Sequence, residues 1–227
     1  MARLRRLAWL ALALCVGAGS LGAANFGESR VFSAAAKAYT DQIWWLAETN
    51  FSQFVEQFPK SEQRPQAVLY QAIACYRQTN APRAIDLLRA NLDRAGVLAD
   101  EYQYWIAESL FQKSDYTNAA EAYVELIRRY AGSRFRLAAL IGEAASRVQL
   151  GDLAAVVARL GAADGEFAQA RQTAITNELV VRGSLLLGEA QLARKNYAGV
   201  EQAVAPLRGQ KLPPELAWRA ERLGYEA

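Results

Sequence analysis

The chain has 227 residues, 25.0 kDa, 52% of them apolar, and a formal charge of +3, enough apolar side chains to build a sizeable buried core. It contains no histidine, which excludes histidine-based triads, the commonest general base and most transition-metal sites. No basic block occurs in its body, which excludes a nucleic-acid partner.

The first residues stand apart. Arg3, Arg5 and Arg6 precede the apolar run Leu7 to Val16, and small residues follow. This is the three-part pattern of a secretory signal peptide over residues 1–24, with cleavage expected after Ala24. The run is too short to span a bilayer, which takes about 20 apolar residues. Cys15 follows Leu14 rather than a small residue, so it reads as an apolar member of the leader, with lipidation the less fitting alternative. Removing three arginines leaves a formally neutral body whose single thiol is Cys75, so no intramolecular disulfide is expected.

Residues 25–227 are predicted to be helical throughout. Apolar residues recur at three- and four-residue spacing, and no stretch alternates convincingly with period two. Repetition fixes the units. Ala107 is followed by Asp115, Tyr116, Ala119, Tyr123 and Leu126, and Gly188 at matching offsets by Asn196, Tyr197, Val200, Val204 and Leu207. Ala72, Asn80, Ala84 and Leu88 follow the same plan with drift, as do Ala144, Asp152, Val156 and Val157. Ala47, Phe51, Phe54 and Pro59 mark a degenerate first copy. Ala47, Ala84, Ala119 and Val156 recur at intervals of 37, 35 and 37 residues.

A helix–turn–helix unit accounts for each choice. The small residue on the first helix lets the second approach closely, and Asp or Asn at the turn accepts hydrogen bonds from the amides that open the second helix. The aromatic after it wedges against the first helix. Large residues further on fill the gap to the next unit, because no single hairpin buries its own apolar face. Units are predicted near 31–61, 65–97, 100–133, 135–168 and 177–210, with a final helix over 213–225 opened by Pro213-Pro214-Glu215. Residues 161–173 read as a looser join.

On these residues the chain resembles the tetratricopeptide repeat, whose unit is about 34 residues, over most of residues 31–207. Pro59 stands where that family has a proline after the second helix, and Gly96 and Ala131 take the place in later copies. The stretch FSQFVEQFPKSEQRPQAVLYQAIACY, Phe51 to Tyr76, is further similar to bacterial envelope proteins of the BamD-like and YbgF-like kinds. The resemblance implies an all-α fold, a right-handed α–α superhelix (solenoid) of about five hairpins plus a C-terminal helix. It implies a non-catalytic scaffold that holds protein or peptide partners in a concave groove, in outer-membrane assembly or envelope integrity. The implied location is periplasmic, with peripheral association with the outer membrane left open. Two alternatives remain: a self-assembling repeat module, and an accessory module of a peptidoglycan-processing system.

No phosphate-binding glycine loop, metal motif or cofactor motif is present in the sequence, and no enzymatic activity is expected. Cys75, beside Ala72, reads as a buried packing residue. The groove-facing positions predicted from the register are Ile73, Tyr76 and Arg77; Tyr104, Glu108, Phe111 and Gln112; Ala145, Val148 and Gln149; and Leu185, Glu189 and Leu192. Aromatic anchors beside polar groups suit an extended peptide or a partner helix. The competing reading is that Tyr76 and Phe111 simply pack between helices. The family's carboxylate clamp is missing, since Arg77 alone cannot form it. Trp44 and Trp45 point about 100° apart on a helix, so at most one of the pair is expected to be fully buried.

Overall fold

The computed structural model describes residues 27–227. The predicted leader, residues 1–24 with Cys15, lies outside them. Helices make up the described chain, with no strand among the described residues. Five hairpins follow one another: α1 (27–40) with α2 (Trp44–Gln57), α3 (Arg64–Arg77) with α4 (Ala81–Asn91), and α5 (Ala99–Gln112) with α6 (Tyr116–Arg129). Then come α7 (Arg136–Gln149) with α8 (Leu153–Leu160), and, after the short α9 (Glu166–Thr173), α10 (Glu178–Ala193) with α11 (Tyr197–Val204). The last helix is α12 (Pro214–Glu226).

All five turns are the same object. The first helix ends on a residue with left-handed backbone: Gln42 (φ 58°), Thr79 (62°), Ser114 (64°), Gly151 (74°) and Lys195 (58°). The amide of the next residue, Ile43, Asn80, Asp115, Asp152 or Asn196, bonds back to the carbonyl of Ala38, Cys75, Leu110, Arg147 or Gln191, each at 2.9 Å. The left-handed residue's own amide makes the shorter return bond, at 2.8–3.0 Å, to Tyr39, Tyr76, Phe111, Val148 or Leu192. This double closure is the Schellman motif, which satisfies carbonyls that the helix end would otherwise orphan. In four of the five turns the next residue is polar and opens the second helix, and in the first turn it is Ile43. Asp152 accepts from the Ala155 amide at 3.1 Å and Asn196 from that of Gly199 at 3.2 Å, whereas Asp115 instead holds the Asn118 side-chain amide at 2.8 Å.

Only one of the five turns uses glycine, which alone adopts this conformation without strain. Thr79→Gly is therefore expected to stabilise the protein by about 1 kcal/mol, because a β-branched residue is the most strained there. Gly151→Ala should cost a similar amount. Opposite shifts of the thermal midpoint check both.

The chain divides into two compact units, residues 1–87 and 88–227, the division falling within α4. In the described part of the first, Phe51, Phe54, Ala35, Ala47 and Ala67 form the core, with α2 packed on α3. The aromatic rings interlock. Phe32 meets Phe51 and Phe54 edge-on, and Tyr39 stacks on Tyr70 with centroids 4.7 Å apart.

In the second unit each first helix packs on its own second helix and on the next first helix: α5 on α6 and α7, α7 on α8 and α10, α10 on α11 and α12. Each second helix also reaches the following first helix, α6 to α7, α8 to α10 and α11 to α12. The repeat positions do as their spacing predicts. Ala107, Ala119, Ala144, Val156 and Val200 are fully buried, with Tyr123, Leu126, Val204 and Leu207 nearly so. A Cβ on Gly188 would meet Val204 and Leu223 at 3.2 Å, so a small residue is what the α10–α11–α12 junction admits. Tyr116 wedges edge-on against Phe111 with centroids 5.2 Å apart, but its counterpart Tyr197 is half exposed. Where a looser join is predicted, α8 stops at Leu160 and α9 packs on α7 and α10, with Phe167 as its one buried residue.

Candidate functional site

The predicted groove residues lie on α3 in the first unit and on α5, α7 and α10 in the second. On α3, Ile73 is 2% exposed and belongs to the core, Tyr76 is half-buried and Arg77 exposed. The Arg77 guanidinium sits 5.9 Å from the centroids of both Tyr76 and Trp44, a cation–π arrangement that holds two flat rings beside one charge. Trp44 is half-buried, edge-on to Tyr39, while Trp45 is 64% exposed, so neither tryptophan is fully buried.

In the second unit Tyr104 is half-buried and stacks on Phe135, at the head of α7, with centroids 4.7 Å apart and planes 16° apart. Phe111 is half-buried against Tyr116. Glu108 accepts a hydrogen bond from the Tyr123 hydroxyl at 2.7 Å, and Glu189 holds Arg219 of α12 at 2.7 Å. Leu185 is fully buried. Ala145, Val148 and Leu192 are half-buried, and Gln112 and Gln149, at the C-terminal ends of α5 and α7, are exposed. In this unit the first helices thus carry half-buried apolar and aromatic groups, with exposed amides at the C-terminal ends of α5 and α7. Such groups offer contact area and hydrogen bonding without a strong charge.

Polar networks the sequence did not announce tie the units internally. Glu143 is 3% exposed and receives Arg147 at 3.0 Å and Arg159 at 3.1 Å, one on each oxygen. Arg147 also reaches Asp152 at 3.2 Å, so the hairpin α7–α8 is locked on its own side chains. Arg136 joins Glu166 of α9 at 2.8 Å and the Ile127 carbonyl that ends α6. Arg171 of α9 donates to the Gln202 carbonyl of α11 at 2.9 Å, favourable at a helix C-terminus. Burial lowers its pKa from the ordinary value. It lines a cavity of about 450 Å³ with Ile175 and Pro206.

Cys75 is fully buried, as its place beside Ala72 suggests. Burial first, and then the Glu48 carboxylate, push its thiol up to about 12. Glu48 is itself held by Arg83 at 2.8 Å and Gln78 at 2.7 Å. A thiol whose folded pKa lies above its ordinary 9.0 contributes stability that is complete below pH 9 and is lost as pH climbs towards 12. The slope is about 1.4 kcal/mol per pH unit. Comparing urea unfolding of the wild type and Cys75→Ala between pH 8 and 10.5 is expected to show a flatter decline in the variant. At neutral pH the native thiol should resist alkylation.

Among the described residues no group of three or more Cys, Asp or Glu is placed to hold a metal ion. No helix among them is long and apolar enough to cross a membrane. The chain matches no protein-family model, and no curated protein matches it.

Proposed function

We propose that the protein is a non-catalytic interaction scaffold of the tetratricopeptide type, its hairpins wound as a right-handed superhelix, which holds a segment of a partner protein against its first helices. The observation that carries this reading is the chain of contacts α5–α7–α10, which gathers Tyr104, Glu108, Phe111, Gln112, Val148, Gln149 and Leu192 onto helices that neighbour one another. On α3, in the first unit, the corresponding repeat positions are Tyr76 and Arg77, and on α10 the corresponding position is Glu189. Apolar groups beside amides fit an extended peptide or an amphipathic helix better than a polyanion. The leader-like pattern at the N-terminus and the resemblance of Phe51 to Tyr76 favour export to a bacterial periplasm, where the partner would serve outer-membrane assembly or envelope integrity.

The test is affinity capture from envelopes. Gln112→Lys/Gln149→Lys changes two exposed positions on the first helices, and Glu121→Lys/Ala154→Lys changes two exposed positions on the second helices. The first pair is expected to lose a protein that both the wild type and the second pair retain. Equal capture by all three would reject the first-helix surface.

A further inference from the structure

Arg171 of α9 is a half-buried cation without a counter-charge among the described residues. Its Nη2 donates to the carbonyls of Gln202 at 2.9 Å and Ala203 at 3.4 Å, near the C-terminal end of α11. Its Nε is buried and has no hydrogen-bond partner. The carboxylates of α9, α10 and α11 are all held by other arginines, Glu166 by Arg136, Glu178 by Arg182, Glu189 by Arg219 and Glu201 by Arg208, at 2.6–2.8 Å. A helix C-terminus supplies only about half a negative charge, and an arginine stays protonated, so net positive charge is left over. Burial holds the Arg171 pKa below its ordinary value, as desolvation without a full counter-charge does.

This residue lines a cavity. Ala168, Arg171, Gln172 and Ile175 stand three and four residues apart along one side of α9 and its exit, and Pro206, just after α11, completes the lining. The volume of about 450 Å³ falls among small-molecule sites, which run from about 300 to 1,000 Å³. Two cavities of similar size make the contrast. Arg208 lines one of about 460 Å³ but is held by Glu201 at 2.6 Å. Arg129 lines one of about 420 Å³ but has Glu125 at 3.5 Å.

The lining defines what fits. One cation matches one negative charge, and a planar carboxylate suits a guanidinium better than other anions of that charge do. The exposed Gln172 amide offers a second donor. Ala168, Ile175 and Pro206 form an apolar wall, with no further polar side chain to hold a peptide backbone. We propose that this cavity binds a medium-chain fatty acid, its carboxylate on Arg171 and Gln172 and its alkyl chain along Ala168, Ile175 and Pro206. The site shares no residue with the first-helix surface and does not depend on that reading.

Isothermal titration calorimetry of the intact protein with decanoate, at neutral pH and below its micellar range, tests it. The wild type is expected to bind one decanoate with a Kd on the order of 10–100 µM. Octanoate should bind about three- to fifteenfold more weakly, the effect of one or two fewer buried methylenes. Decanol keeps the chain without the charge and should bind at least about tenfold more weakly. Arg171→Gln should lose at least about tenfold. Gln172→Glu places a carboxylate in the cavity beside Arg171 and should lose as much while the fold stays intact, which thermal unfolding checks. Tyr225→Ala, in the cavity of Arg208, should bind like the wild type. The absence of saturable binding up to about 1 mM overturns the proposal. So does decanol as tight as decanoate, full binding by either cavity variant, or loss of binding in Tyr225→Ala. Tighter binding of a peptide ending in two leucines would assign the cavity to a chain terminus and overturn the fatty acid.

Discussion

Phe167→Ala is expected to lower the unfolding free energy by about 3–5 kcal/mol, the range for removing a buried aromatic ring. Phe167 is 1% exposed and is the single buried residue of α9. Its ring lies over Gly183 of α10, next to Ile141 of α7: a Cβ built on Gly183 would come within 2.5 Å of both side chains. The ring therefore fills the space that a glycine on α10 leaves open, and no neighbour is placed to replace it. Without it α9 keeps the small apolar contact of Ala170 and two polar anchors, the Arg136–Glu166 pair and the Arg171 bond to α11. Phe167→Leu should cost about 1–2 kcal/mol, because most of the volume remains. Urea titration of the three proteins gives the comparison.

The second large effect is at Gly142. A Cβ there would collide with the ring of Tyr123, which lies flat on the glycine. The ring cannot simply withdraw, because it is 1% exposed and its hydroxyl is held by Glu108 at 2.7 Å. Gly142→Val should therefore cost about 3–4 kcal/mol, overpacking plus the lost hydrogen bond. Tyr123→Leu frees the space, and the double variant is expected to be about 1–2 kcal/mol more stable than the sum of the single effects predicts. Simple additivity would mean that the two residues do not share this contact. The same triangle makes Glu108 a structural acceptor.

The hairpins were legible because their determinants are local. A small residue, a polar cap eight residues on and a small apolar residue four further on all act within one turn or one helix pair, and Ala144, Asp152 and Val156 do so here. The left-handed residue before each cap was not legible, since Gln42, Thr79, Ser114 and Lys195 have no side-chain preference for that conformation. Nor was α9, whose polar sequence offers one apolar anchor instead of a helical stripe.

The candidate surface was legible only in register. Spacing places Tyr104, Ile73 and Leu185 on first helices but says nothing of what the next unit lays against them. Phe135 covers one side of Tyr104 from 31 residues away, and Arg219 reaches Glu189 from 30 away. Contacts at that separation depend on how the hairpins stack, and a single sequence does not display them.

The most direct test of the interaction reading uses a photo-crosslinking amino acid placed in turn at position 149, at the end of α7, and position 154, on α8 of the same hairpin. Both positions are exposed. Irradiation of cells is expected to give an adduct with another protein from position 149 and none from position 154. Adducts from position 154 alone, or from neither position, would contradict a partner held against the first helices.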